Sequence, residues 1–403
     1  EADLHAFVSG CTRADQPNGL RRFRRREILR IGTRDICLHT PIQDITASLS
    51  ALAEASIRLA LEWAWESVGG GSVSERQPWK NSFCILAFGK LGGAELNYSS
   101  DIDLLGVCAD ALPGTPGATG TSLAGVRRES LPPDLPESRD GRVGTGESGE
   151  LFARVLKSVG QNLSAHTEEG HAYRVDFRLR PYGHAGELVY TVAALADYYA
   201  KKAALWEIQA LLKARPVAGN AELGAALLEQ VRPIFMQPRP AKTIILSIET
   251  LRETAIGKTR SADVKCGLGG IRDIEFLVQG LQLIHAPRQG ELLDGNTLST
   301  LERLKTGGLL PEEVVGQLQA DYTFLRRVEH ILQIFEDRQI HAVPKAGDAR
   351  AALARRVLGA DSTAERLMIE LDACQQRVRR TYTQYFLAGA QETVDHPGIL
   401  RLE

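Results

Sequence analysis

Residues 83–107 read FCILAFGKLGGAELNYSSDIDLLGV. The run opens on an apolar stretch, Phe83 to Phe88, of the length of a buried strand. A Gly-rich turn follows, Gly89-Lys90-Leu91-Gly92-Gly93, then a polar segment ending in Ser99-Ser100, then a second apolar run, Ile102 to Val107. Side chains alternate along a strand, so Asp101 and Asp103 share one face while Ile102 and Leu104 share the other. Neighbouring carboxylates repel, and they are tolerated where a hard divalent cation neutralises them. The glycines let a phosphate approach the backbone, and Lys90 adds a charge beside it. Alone, an Asp-x-Asp reads as a capping aspartate and a solvated strand end.

Around this stretch, 403 residues give room for two or three domains. A hydrophobic fraction of 43% with 24% charged residues is that of a soluble globular protein. The net charge of −2 excludes a global basic signature of nucleic-acid binding. No apolar run approaches a membrane span and no signal peptide opens the chain, so a cytoplasmic setting without a membrane partner is expected. Six scattered cysteines, without a CxxC pair, read as reduced and mostly buried thiols. Glu1 stands where a Met would begin a gene product, so a fragment or processed chain is expected.

Residues 1–75 read as a helical segment. It contains LRRFRRREILRIGTRDI, whose seven arginines from Arg21 to Arg34 form either a solvated, ion-paired face or a surface for phosphate or an acidic partner. Residues 76–215 hold the central stretch. Within them, 109–149 is rich in Pro, Gly and Ser and lacks aromatics, which predicts a flexible insertion. Further on, Tyr173, Val175, Phe177 and Leu179 alternate with Arg174, Asp176, Arg178 and Arg180, predicting a strand with one charged face. That face is either an exposed salt-bridged surface or a third metal ligand flanked by phosphate donors. Lys213 and Arg215 are read as closing a helix before Pro216. Residues 216–403 read as a helical bundle, with Ile244, Ile248, Leu251 and Ala255 on one stripe and Glu275, Gln279 and Gln282 sharing a polar face.

The Gly-Lys turn, Ser99-Ser100 and Asp-x-Asp together resemble the nucleotidyltransferase superfamily that includes DNA polymerase beta. The longer strings FGKLGGAELNYSSDID, DFRLRPYGHAGELV, WEIQALLKARPVAGN, KCGLGGIRDIEFLVQ and LRRVEHILQIFEDRQIHAVP, with the arginine helix before them, resemble the glutamine synthetase adenylyltransferase/deadenylylase family over nearly the whole chain. The resemblance implies an α+β, mostly α fold: a polymerase-beta-like domain with a small mixed sheet, followed by a helical bundle. Members of that family carry two such halves, and Ile271-Arg272 before Asp273-Ile274-Glu275-Phe276 and the tail Asp337 to Pro344 resemble the amino-terminal, deadenylylating one.

The implied activity is phosphorolytic removal of AMP from a tyrosine of glutamine synthetase, with phosphate consumed and ADP released. Transfer of AMP from ATP, or a non-catalytic binding module, are the alternatives. By the resemblance, and by their own chemistry, Asp101, Asp103 and Asp176 are the metal ligands and catalytic carboxylates, for Mg2+ or Mn2+. Gly89, Lys90, Ser100, Arg178 and Arg180 are phosphate or nucleotide contacts, with Lys213, Arg215, Lys265 and Arg272 as further cationic candidates. A PII signal protein is the implied regulator.

Overall fold

The structure, a computed structural model, describes residues 1–68, 79–110, 146–257, 263–336, 340–345 and 347–388. Most of the expected insertion and the Gly69-Gly70-Gly71 run lie outside these residues, as do Asp337, Arg338 and Gln339. Three helices come first, α1 (Ala2–Ser9), α2 (Gln16–Ile36) and α3 (Ile42–Val68). The arginines of α2 follow neither sequence reading alone. Arg21 is buried and donates to the carbonyls of Pro17, Asn162, Ala165 and Gly170, while Arg22 and Arg25 pair with Glu169.

Strand β1 (Phe83–Phe88) leads through a one-turn helix, α4 (Gly89–Gly92), to β2 (Ile102–Cys108), and the two strands pair antiparallel. Helix α5 (Gly146–Ser164) then returns the chain to β3 (Val175–Asp176) and β4 (Val189–Thr191). Both short strands run parallel to β2 on the same edge, β3 beside its start and β4 beside its end. Helices α6 (Val192–Lys201) and α7 (Leu205–Leu211) precede β5 (Arg215–Gly219), which pairs antiparallel with the free side of β1.

Two expectations change here. Only Val175 and Asp176 form strand; from Phe177 the chain leaves β2 and loops before rejoining it as β4. Arg215 does not close a helix but opens β5, where the missing N–H of Pro216 is tolerated because β5 is an edge strand.

Strand alternation sorts the sheet into two cores. Phe83, Ile85, Ala87, Ile102 and Leu104 face α1, α2, α3 and α5. Phe83 stacks on Phe152 at 5.2 Å, and Trp65 meets both rings edge-on. Cys84, Leu86, Phe88, Leu105 and Val107 face the second core. That core is built from the bundle α8 (Ala221–Phe235), α9 (Ala241–Ile256), α10 (Ile271–His285), α11 (Thr297–Thr306), α12 (Glu312–Glu336), α13 (Asp348–Leu358) and α14 (Ala364–Tyr382).

Asn220, Asn296 and Thr363 cap α8, α11 and α14 with their side chains, each contact worth about 1 kcal/mol. The polar face of α10 is not solvated. Gln279 and Gln282 are buried, Gln279 accepting from Gln209 and Gln282 donating to the carbonyls of Leu292 and Asp294. All six cysteines are free, three of them buried. No helix among the described residues is long and apolar enough to cross a membrane.

Candidate active site

Strand register sets the centre of the site. Ile102 pairs with Val175 and Asp103 with Asp176, so two carboxylates from parallel neighbours lie side by side. Asp101 sits one residue before β2. On the other side of Asp103 is the turn into α4, since Phe88 is its antiparallel partner. Gly89 there has φ +58°, and a Cβ would stand 2.6 Å from the Asp103 Oδ2. The glycine is required both for its left-handed backbone and for the room it leaves that carboxylate. Gly92 serves backbone packing instead: a Cβ would run into the Lys213 carbonyl oxygen.

Each carboxylate has a different electrostatic setting. Burial, then the charges of Asp176 and Asp101, push Asp103 up to about 7, against the pull of Arg178 and Lys265. Asp176 goes the other way. Burial acts to raise it, but the Arg178 side chain and backbone N–H hold it below the usual carboxylate range. Arg178 Nε donates to Asp176 Oδ2 at 2.7 Å and the Arg178 backbone N–H to Oδ1 at 2.8 Å. Asp101 accepts from Arg174 Nε at 2.5 Å, and the same guanidinium donates to the Ser99 carbonyl at 2.5 Å.

The donors fit a hard cation. They are oxygens only, and burial together with the neighbouring carboxylates raises Asp103, a penalty that a bound cation would relieve. Among the described residues no three His, Cys, Asp or Glu side chains are disposed to hold a metal ion by themselves. Water or substrate oxygens would complete the shell, as Mg2+ prefers.

Asp101 and Asp176 open onto a groove of about 640 Å3, lined also by Arg174, Arg178, Arg180, His184 and, from α5, Lys157. Arg178 is largely exposed in it. Arg180 is committed to its own loop: Nε, Nη1 and Nη2 donate to the carbonyls of Gly186, Phe177 and His184.

Three other sequence candidates are engaged elsewhere. Lys90 is paired with Glu275 of α10 and lies 3.5 Å from the Tyr322 hydroxyl. Lys213, almost fully buried, meets Glu95 at 2.6 Å. Burial acts against the charges of Glu95, Glu275 and Lys213, but the two lysines keep Glu95 and Glu275 below their usual range, and Lys213 stays above its own. Arg215 donates to the carbonyls of Leu91 and Gly92 and pairs with Glu54.

These contacts lock the Gly-Lys turn between α3, β5 and the bundle. Ser100 is half-buried beside Asp101. Arg272 lies over the Phe276 ring at the start of α10. Lys265 stands 3.9 Å from the buried Glu329 and close enough to Asp103 to lower its pKa.

Arg174, His184 and Lys157 were not singled out from the sequence. Arg174 alone had a signal, its place in the alternating run beside Asp176. The other two reach the groove through tertiary packing.

A strand, a Gly-Lys turn at its end, and paired acidic residues on the two strands that follow define a nucleotidyltransferase. A model described as glutamate-ammonia ligase adenylyltransferase matches residues 1–122 and 134–230. The chain belongs to that family. A second model, described as GlnD PII-uridylyltransferase, matches residues 248–386.

Curated relatives are named bifunctional glutamine synthetase adenylyltransferase/adenylyl-removing enzyme. The one from Pseudomonas aeruginosa is 36% identical over 351 residues, 85% of this chain and 33% of the relative. Those from Methylococcus capsulatus and Streptomyces coelicolor are 33% and 34% identical, covering 94% and 85% of this chain and 38% and 32% of their own lengths. The chain therefore spans about a third of the curated relatives it matches.

Proposed function

We propose that this chain removes AMP from an adenylylated tyrosine of glutamine synthetase by phosphorolysis. The observation that carries the reading is the Asp103–Asp176 register pair with Arg178 fastened to Asp176 at the mouth of a cation-lined groove. The names of the relatives include both AMP transfer and AMP removal. The Ile271-Arg272 pair ahead of Asp273-Ile274-Glu275-Phe276, together with the sequence from Asp337 to Pro344, resembles the deadenylylating half and supports removal.

In the reaction an oxygen of inorganic phosphate attacks the AMP phosphorus. A phosphorus–oxygen bond to phosphate forms, the bond to the tyrosine oxygen breaks, and the phenolate leaves and takes a proton from solvent. ADP and the unmodified tyrosine result. A phenol of pKa about 10 is a competent leaving group, so positioning and charge neutralisation carry the rate. Asp101, Asp103 and Asp176 would hold Mg2+ or Mn2+, which supplies charge neutralisation between the two anionic reactants when bound. Arg178 binds the incoming phosphate, with Arg174 and Lys157 beside it. Arg180 acts through the loop that it holds. Lys90, Lys213 and Arg215 fix the turn rather than touch phosphate.

The match of residues 248–386 to a PII-uridylyltransferase model supports a PII signal protein as a regulatory partner of the bundle. A cytoplasmic setting goes with both partners. A second reading, AMP transfer from ATP, rests on the other activity in the relatives' name. Purified chain with AMP-modified glutamine synthetase, Mg2+ and phosphate decides. ADP release dependent on phosphate supports removal, AMP release without phosphate means hydrolysis, and activity only with ATP on unmodified glutamine synthetase means transfer.

A further inference from the structure

The carboxylates stand on the face of the sheet that looks at the bundle. Ile102 and Leu104 flank Asp103, Val175 and Phe177 flank Asp176, and all four pack toward α1, α2, α3 and α5. Asp103 and Asp176, side by side in register, therefore emerge on the opposite face, the one shared by Leu105 and Val107. In that second core lies Val264, from the turn that precedes α10. The next residue, Lys265, is close enough to Asp103 to draw its pKa down.

The backbone of this turn is fixed. The Val264 N–H donates to the His341 carbonyl, Asp263 Oδ1 accepts from the N–H groups of Lys265 and Cys266, and the Lys265 carbonyl accepts from the Arg272 N–H. Gly269, at φ +75°, lies so near the Gln375 carbonyl oxygen that a Cβ would fall 2.1 Å from it.

From that set point the Lys265 ammonium rests 3.9 Å from Glu329 Oε1 of α12. Glu329 does not depend on it. The same carboxylate has His341 Nδ1 at 3.0 Å, Gln333 Nε2 at 3.4 Å and Arg326 Nε at 3.5 Å. The Lys265 contact is the longest of these four, and Lys265 is 21% exposed where Glu329, Arg326 and Gln333 are buried. Lys90 and Lys213 are held closely by Glu275 and Glu95, whereas Lys265 is held loosely.

We infer that Lys265 is a further catalytic residue, whose ammonium leaves Glu329 to bind the non-bridging oxygens of the AMP phosphoryl seated at Asp103 and Asp176; the inference rests on the function proposed above. A compact charge on a flexible four-carbon stem reaches a new anion without moving the backbone. Negative charge gathers on those oxygens as the phosphoryl passes from phenolate to phosphate, so a cation placed there acts on the rate. Lys265 keeps its proton throughout, and the bonds made and broken are those given above. Arg178 comes from the groove and serves the incoming phosphate; Lys265 comes from the bundle and serves the phosphoryl being transferred.

The test compares Lys265→Met, Lys265→Arg and Glu329→Gln with the parent chain. Calorimetry with Mg2+ present measures AMP and adenosine binding, and ADP release from AMP-modified glutamine synthetase gives the kinetics. Lys265→Met is expected to weaken AMP by about tenfold or more and to leave adenosine unchanged. Its kcat should fall by ~10²-fold, with the phosphate concentration for half-maximal rate still that of the parent. Lys265→Arg keeps the charge and should keep most of the AMP affinity. Glu329→Gln frees the same ammonium and should bind AMP at least as tightly as the parent chain.

A purely structural tie would lose the same amount when broken from either end. Equal losses of AMP affinity in Lys265→Met and Glu329→Gln therefore overturn the inference. Unchanged AMP affinity in Lys265→Met overturns it too, as does a parent chain that binds AMP no more tightly than adenosine. The two readings fail separately. Phosphate-dependent ADP release by Lys265→Met at the parent rate sinks only the role of Lys265. Selective loss of AMP binding in Lys265→Met, without any release from modified glutamine synthetase by the parent chain, sinks only the deadenylylation reading.

Discussion

Asp176 lies directly beside Asp103 in the neighbouring parallel strand, yet burial, with the charge of Asp176 after it, raises Asp103 while the hydrogen bonds of Arg178 hold Asp176 low. Arg178 sustains the difference by fastening itself to Asp176 alone. Asp103→Asn is therefore expected to lower turnover by at least ~10²-fold without loss of fold. Removing a like charge also means that its melting temperature in EDTA does not fall below that of the parent chain. Turnover near the parent value at saturating Mg2+ would remove Asp103 from the site.

Arg178 is the more exposed of the two arginines fastened to the carboxylates. Its replacement by alanine is expected to raise the phosphate concentration needed for half-maximal rate by roughly 10- to 100-fold, the equivalent of about 1.5–3 kcal/mol for a charged hydrogen bond. The affinity for glutamine synthetase should stay the same. A phosphate titration that superimposes on that of the parent chain contradicts the assignment.

Lys213 and Glu95 form an ion pair that solvent hardly reaches. Lys213→Met leaves a buried carboxylate without its counter-charge and is expected to cost about 3–5 kcal/mol in urea unfolding. Adding Glu95→Gln removes the stranded charge yet keeps an acceptor for the Thr297 N–H, so the double variant should regain a good part of the loss. A single-variant cost below about 1 kcal/mol would mean that water enters the pair.

His330 is enclosed between Asp35 and Asn97, at 2.9 and 3.2 Å from its two ring nitrogens. Burial lowers its pKa below the ordinary 6.5 by more than Asp35 raises it. The unfolded chain thus binds the proton first, and stability is lost as the pH falls below about 6.5, by at most about 1.4 kcal/mol per pH unit. His285, lowered by burial and Arg288, adds a slope of its own. His330→Gln should flatten the urea midpoint against pH between about 7.5 and 5 while leaving the His285 share. Identical slopes would mean that His330 titrates alike in both states.

The strand–turn–strand unit and its carboxylates were legible because each rests on local pattern. Alternation assigned Ile102 and Leu104 to one face and Asp103 to the other, β1 is a continuous apolar run, and Asp103 is the one charged residue in β2. What escaped was set by partners distant in sequence. Lys90 reads as a phosphate ligand until Glu275, 185 residues away, comes to meet it. Arg21 reads as surface charge until the four carbonyls around it are known. Arg215 reads as a helix end because Pro216 follows it, whereas that proline marks an outer strand. The alternation from Tyr173 to Arg180 overstated the strand, since β4 takes the remaining length of the β2 edge.

That shared edge has a consequence for solubility. A sheet margin recruits foreign strands when it shows a long row of unpaired N–H and C=O groups. Here one margin is divided between a two-residue and a three-residue strand, interrupted by a stitched loop. At the other margin Pro216 supplies no N–H, and Arg58 of α3 donates to the Val217 carbonyl at 2.9 Å. Neither side is a template for strand addition, so the sheet that carries the carboxylates is guarded against amyloid-like growth even where the surrounding chain opens.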